Sequence, residues 1–269
     1  MALGASGVDA HPDALVGEVY VPGREGSLQV ELVATARRHG RLPYRVAPEL
    51  ESIVREVAAG RPVVVLVNFG VSWLPVWHYA VVIGYSLMDR TLTLRSGRHE
   101  RSVVAFDKFA KTWRRSQGWG LVLLRPGELP GDLDEQRYLA AAIDVERTGG
   151  LVVARDAYAA LLTRRPGNPT ALFGLGSVAQ QLGDLDASER AYRTLLETRP
   201  DDARVLNNLA LVLAERGCIA EARTTLATAL TATSDRNTKE ALLDSSAEIE
   251  QAARDAKPGA CATGSTVEH

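Results

Sequence analysis

The chain has 269 residues, 46% hydrophobic and 24% charged, enough apolar material for real cores and too much for a disordered chain. Its formal net charge is −2 and no block of Lys or Arg stands out, which argues against nucleic acid or an anionic membrane surface as the main partner. No run of 18 apolar residues occurs, so no transmembrane helix is expected. Cys218 and Cys261 fall in different regions without zinc-type spacing, and neither a disulfide scaffold nor a structural zinc is expected.

In chain order, Ser27–His39 has helical spacing through Leu28, Val30, Leu32, Val33 and Ala36, and Ala47–Ala59 repeats it with Leu50, Ile53, Val54 and Val57. Gly60-Arg61-Pro62 stops that helix, and the period then changes. Val63–Val67 is a β-branched run of the kind a buried strand needs, and Tyr79–Tyr85 is a second strand. Ser86–Arg90 is a turn leading to a hairpin partner at Thr91–Leu94, Phe106–Trp113 is a short amphipathic helix, and Gly120–Leu124 is a last strand. Helices followed by an antiparallel sheet predict an α+β domain over 1–130, with Glu128–Asp134 as a linker. Within it, His78 heads an apolar strand and is the residue type of a neutral-pH general base. His11, His39 and His99 lie in polar settings expected to be exposed, while Trp73, Trp77, Trp113 and Trp119 read as core or cleft walls, with core favoured.

Residues 135–234 carry a different signal. Gly149, Gly183 and Gly217 are 34 residues apart, as are Asp134, Asn168 and Asp202; Pro166 and Pro200, and Tyr158 and Tyr192, share that step. The Asp and Asn residues are helix N-cap types, Pro169 fits a first helical position, and the glycines suit tight turns between helices. With Leu175-Gly176, Gly183-Asp184, Tyr192 and Pro200 at signature positions, this stretch resembles the tetratricopeptide family, which implies three helical hairpins and a protein partner in their groove. Arg204, Asn207 and Asn208 are the candidate peptide contacts there. Residues 237–255 are expected to form a capping helix, and 256–269 a frayed tail. No phosphate-binding loop and no cluster with metal-ligand spacing is present, so no cofactor or metal is expected.

Gly60-Arg-Pro-Val-Val-Val-Leu-Val, followed by Trp77-His78-Tyr79-Ala80-Val81-Val82-Ile83-Gly84-Tyr85, the hairpin and Phe106…Trp113…Trp119, resembles the papain-like C39 peptidase family. Val19-Tyr20-Val21-Pro22-Gly23-Arg24-Glu25-Gly26-Ser27-Leu28 is similar to a bacterial branch whose members carry tetratricopeptide repeats behind the catalytic domain. The resemblance implies a cysteine nucleophile at a helix start, a Gln before it that helps hold the oxyanion, a histidine base and an orienting Asp. Only His78 carries over as it stands; the Asp position falls on or near Ser96, with Asp89 and Asn68 as lesser polar neighbours. No cysteine precedes Cys218, and the opening Met1-Ala-Leu-Gly-Ala-Ser-Gly looks like the end of the family's Cys-bearing helix, so the chain is expected to start late. Two functions follow as expectations. One is a C39-like cysteine peptidase with a repeat module, acting on a polypeptide substrate and inactive as written; the other is a non-catalytic peptide-binding adaptor. The location is cytoplasmic as written, or periplasmic or cell-envelope if an upstream export signal belongs to the chain.

Overall fold

The computed structural model describes residues 1–24, 26–71, 73–255 and 261. The chain divides into two compact units, one ending at Val153 and one beginning at Ala154. The first opens with short helices α1 (Ala2–Ala5) and α2 (Pro12–Val19) and a two-residue ladder of β1 (Tyr20–Val21) with β2 (Gly26–Ser27). Next come α3 (Gln29–Arg38), β3 (Leu42–Arg45), α4 (Leu50–Ala58), β4 (Val63–Asn68), β5 (Trp77–Ser86), β6 (Thr91–Ser96), β7 (His99–Ala105), α5 (Phe106–Arg114), β8 (Gly120–Leu124) and α6 (Glu135–Arg147). Strands β3 to β8 form one antiparallel sheet in the order β3-β8-β4-β5-β6-β7. This is the α+β arrangement of helices and antiparallel sheet that the change of period predicts.

The β-branched run of β4 sits inside the sheet, with Val63, Val65 and Val67 buried, and its register sets Val67 opposite His78. Amphipathic α5 buries Phe109, Ala110 and Trp113, and the Trp113 indole donates to the Trp119 carbonyl at 2.9 Å. Besides the short β1–β2 ladder, two strands of the six-stranded sheet escape the sequence reading. Strand β3 carries Pro43, which a strand tolerates at a sheet edge, and β7 is the opposite edge, with three exposed polar or charged residues and two valines instead of a clean alternation.

The segment expected to be a linker, Glu128–Asp134, is fixed to this unit. Its Gly131 amide donates to the buried Glu56 carboxylate at 2.6 Å, the Ser52 hydroxyl donates to Asp132 at 2.6 Å, and the Tyr44 hydroxyl donates to the Asp132 carbonyl at 3.0 Å. Helix α6 continues this packing: Tyr138 is fully buried and donates its hydroxyl to the Glu128 carbonyl at 3.1 Å. Burial pushes the phenol pKa of Tyr138 well above its ordinary range, so it stays a neutral donor.

Helix α7 (Leu151–Arg164) spans the division between the units. The second unit then continues with α8 (Pro169–Gln181), α9 (Leu185–Thr198), α10 (Ala203–Glu215), α11 (Ile219–Ala232) and α12 (Arg236–Asp255). The 34-residue period has local causes. Asn168 and Asp202 cap α8 and α10 by accepting from Ala171 and Val205 amides, as Asp134 caps α6. Gly183 and Gly217 take φ of 78° and 79°, and Gly149 83°, values that favour glycine. Asp184 is a cap the periodicity does not reveal; it accepts from the Ala187 amide and starts α9. Helix α12 buries Leu242, Ser245 and Ile249 against α10 and α11.

Two helical glycines accommodate aromatic rings. A Cβ on Gly174 would lie 2.4 Å from the Tyr158 ring, and one on Gly176 would lie 2.6 Å from Tyr192. The Gly176 carbonyl also accepts the buried Ser188 hydroxyl at 2.7 Å. Gly176→Val is therefore expected to displace Tyr192 and lower the stability of the second unit by about 1–3 kcal/mol. Urea unfolding followed by far-UV circular dichroism measures this; an unchanged midpoint would refute the ring-on-glycine account.

The tail at 256–269 lies outside the described residues except for Cys261. That residue corrects one expectation: Cys261 and Cys218 form a disulfide, their Cα atoms 4.5 Å apart across a sequence separation of 43. The wide separation hides the pair in the sequence, because helices α11 and α12 bridge it.

Candidate functional site

A cleft of about 890 Å³ opens in the first unit, lined by residues from five separate segments, one of them Leu66 of β4. Gly26–Gln29 brings the end of β2 and the start of α3, Trp77–Tyr79 begins β5, Gly97 turns from β6 to β7, and Arg115–Gln117 follows α5. His78 lies in this cleft, and its Nε2 is 2.8 Å from Ser96 Oγ. The two residues picked from the sequence for the base and its partner are thus brought together. The Ser96 hydroxyl fixes the ring and can either donate or accept, but it brings no negative charge to an imidazolium. With Nε2 engaged, Nδ1 has no protein hydrogen bond among the described residues and is the nitrogen open to a ligand.

The neighbours define the rest of the chemistry. Phe69 packs its ring 5.7 Å from the His78 imidazole. Tyr79 stands edge-on to Trp119 at 5.7 Å; burial pushes its phenol up to about 12, so it is neutral across working pH. The Ser116 hydroxyl donates to the Leu66 carbonyl, and Arg115 Nη1 donates to the carbonyls of Asn68 and Gly70. Gln117 takes φ of 58° and Gly118 64°, which turns the chain sharply from α5 into β8 and puts Gln117 on the cleft wall. Gln29, Arg115 and Gln117 escape sequence reasoning: Gln29 opens α3, Arg115 and Gln117 lie on the α5–β8 connection, and only the Gln117-Gly118 pair carries a turn signal.

Three expectations are corrected. Asn68 does not reach the cleft; it is buried, and its Oδ1 accepts the amides of Gly70 and Val76, both at 2.9 Å. Trp73 and Trp77 are not core: they are 81% and 51% exposed, whereas Trp113 and Trp119 are buried. His39 has the polar setting expected of it but is not exposed: it is half-buried and contacts the Glu18 carboxylate at 3.1 Å; Arg38, then His39, hold the Glu18 pKa below its usual value. Asp89 stays in the β5–β6 turn, paired with Ser86 at 2.8 Å.

In the second unit the candidate peptide contacts separate. Arg204 lies over the Phe173 ring at 5.0 Å and lines a cavity of about 230 Å³ with Pro169, Thr170 and Leu195. Asn208 donates to the Tyr192 hydroxyl at 3.2 Å, and Asn207 leaves its Oδ1 buried without a hydrogen bond. Only Arg204 of the three faces that cavity.

A family model described as a tetratricopeptide repeat matches residues 139–188 and 176–237. The helical array is made of tetratricopeptide repeats. The two matched stretches coincide with the ring-on-glycine pairs, the capped helix starts and the positive-φ turns described above. Tetratricopeptide repeats are protein-interaction modules, so a protein partner follows for this region. The matches stop short of the sheet, and no curated protein matches the chain. Among the described residues, no helix is long and apolar enough to cross a membrane.

Proposed function

We propose that the chain is a polypeptide-binding protein in which a papain-like, C39-like domain at 1–130 precedes three tetratricopeptide repeats at 135–234 and a capping helix at 237–255. The observation that carries this reading is the His78–Ser96 hydrogen bond inside a cleft of about 890 Å³. The pairing leaves an imidazole nitrogen open where the resemblance puts the reacting thiol. The cleft has the size of an extended-ligand site, and the repeats add a second protein-binding surface. Both cysteines of these 269 residues are joined to each other, so no thiol in them can attack a carbonyl. As it stands, the chain holds a polypeptide and does not cut it.

The test uses an unfolded, carboxymethylated fluorescent protein as ligand. Binding without hydrolysis is expected, together with photo-cross-links to the ligand from a benzoylphenylalanine placed at Gln29. Binding that never yields cross-links from that position would assign recognition to the repeats alone and sink the cleft reading.

A second reading, an active cysteine peptidase, draws on a different observation. Beside α1 lies an apolar recess of about 230 Å³ lined by Leu3, Leu15, Leu32, Val64, Val81 and Leu121. A further apolar helical face fits such a recess. The N-terminal sequence of the native protein tests it: a cysteine upstream of Met1, with hydrolysis lost in His78→Ala, makes His78 a working base.

A further inference from the structure

The connection from β4 to β5 is an arm with an unusual division of labour. Much of its described backbone is bonded from within. The Phe69 amide donates to the Val76 carbonyl at 3.0 Å, and Val71 and Leu74 exchange amide-to-carbonyl bonds at 3.1 and 3.2 Å. The Asn68 side chain accepts the amides of Gly70 and Val76, and Arg115 donates to the carbonyls of Asn68 and Gly70. Gly70 permits the tight return, since a Cβ there would lie 2.2 Å from the Leu74 carbonyl oxygen. None of this needs apolar side chains, yet Phe69, Val71, Trp73, Leu74, Val76 and Trp77 are all exposed. A contiguous apolar display on a preformed loop marks a recognition surface.

Two features identify the occupant. The display is continuous with the cleft, because Phe69 packs on His78 and Trp77 lines the cleft wall. Whatever lies on the arm therefore belongs to the molecule that passes His78. Among the described residues lining the cleft, Arg115 is the only permanently charged one, with one guanidinium nitrogen on the arm's own carbonyls, and no carboxylate is present. The matching ligand surface is uncharged. Since the amides of Phe69, Gly70, Val71, Leu74 and Val76 are already paired, recognition runs through the exposed side chains and not through an added strand.

We infer that the β4–β5 arm is a specificity element that grips an apolar segment of the polypeptide entering the His78 cleft. This rests on the polypeptide-binding reading above and names its ligand class: unfolded or extended chain with consecutive large apolar residues.

The full chain is titrated with two fluorescein-labelled peptides that share glycine–serine flanks. One carries a central run of leucine and phenylalanine, the other serine in its place. The apolar peptide is expected to bind at least about tenfold more tightly, with a blue shift of tryptophan emission. In the double variant Trp73→Ala, Leu74→Ser, both sites lying outside the core, the preference is expected to fall about tenfold with an unchanged circular dichroism spectrum. Equal affinities for the two peptides, with cross-linking from Gln29 intact, would overturn the arm's role and leave the cleft reading standing. Absence of any cross-link from Gln29 would remove the cleft reading and the inference together. Two further outcomes overturn it: variant-sensitive binding to phosphatidylcholine vesicles without peptide preference, or a dimer in light scattering that Trp73→Ala dissolves.

Discussion

Glu56→Ala is expected to remove about 3–5 kcal/mol from the stability of the first unit, a large part of what a domain has. The Glu56 side chain is fully buried; one oxygen accepts from Arg61 Nε at 2.5 Å and the other from the Gly131 amide at 2.6 Å. Arg61 is itself mostly buried and also pairs with Glu128 at 2.9 Å. Removing the carboxylate leaves a guanidinium half-compensated and an amide without its acceptor, and the penalty of those orphaned groups dominates the lost attraction. All four tryptophans lie in the first unit, so urea unfolding followed by tryptophan emission reports this unit alone. Glu56→Gln keeps an acceptor for Gly131 and loses the charge, and is expected to fall between wild type and Glu56→Ala. A loss below about 1 kcal/mol for Glu56→Ala would mean that water replaces the carboxylate at little cost.

What the sequence reveals depends on how local the cause is. Each repeat element answers a local demand: a cap at Asn168 or Asp202, a left-handed turn at Gly183 or Gly217, a ring beside Gly176. Such demands recur at a fixed period and can be read without a structure. The strand at β4 is legible because a buried central strand needs a β-branched run, whereas β3 and β7 are edges and need none. The site is less legible. His78 and Ser96 meet across the β5–β6 pair; the place of His78 at the head of an apolar strand makes it a candidate, but only the resemblance points to Ser96, and the opposite wall comes from Gln29, Arg115 and Gln117, on segments that nothing in the sequence connects. Trp73 and Trp77 mislead for a clear reason. Large apolar residues in an apolar run signal core only where the backbone lacks another source of order. Here Asn68 and Arg115 order the arm, which frees those rings for solvent or a ligand.

Breaking the Cys218–Cys261 disulfide is expected to lower the stability of the second unit by about 4 kcal/mol, the loop-entropy value for a closed loop of this length. The bond spans a sequence separation of 43, and α11 and α12 lie inside the closed loop. Cys218 is buried at the N-cap of α11 and supplies no side-chain cap bond, so its contribution is the tether and its packing. Far-UV circular dichroism in urea, with and without a phosphine reductant, measures the effect, and Cys261→Ser should reproduce the reduced midpoint without reductant. Coincident midpoints would show that α12 holds to α10 and α11 without the tether, through Leu242, Ile249 and the Arg223–Glu250 ion pair. The same bond discriminates between compartments, because a reducing cytosol keeps thiols free while an oxidising one preserves disulfides. Native protein whose intact mass is lighter than the dithiol by two hydrogens would favour an oxidising compartment. A dithiol mass would favour the reducing one and leave the last helix to its apolar contacts.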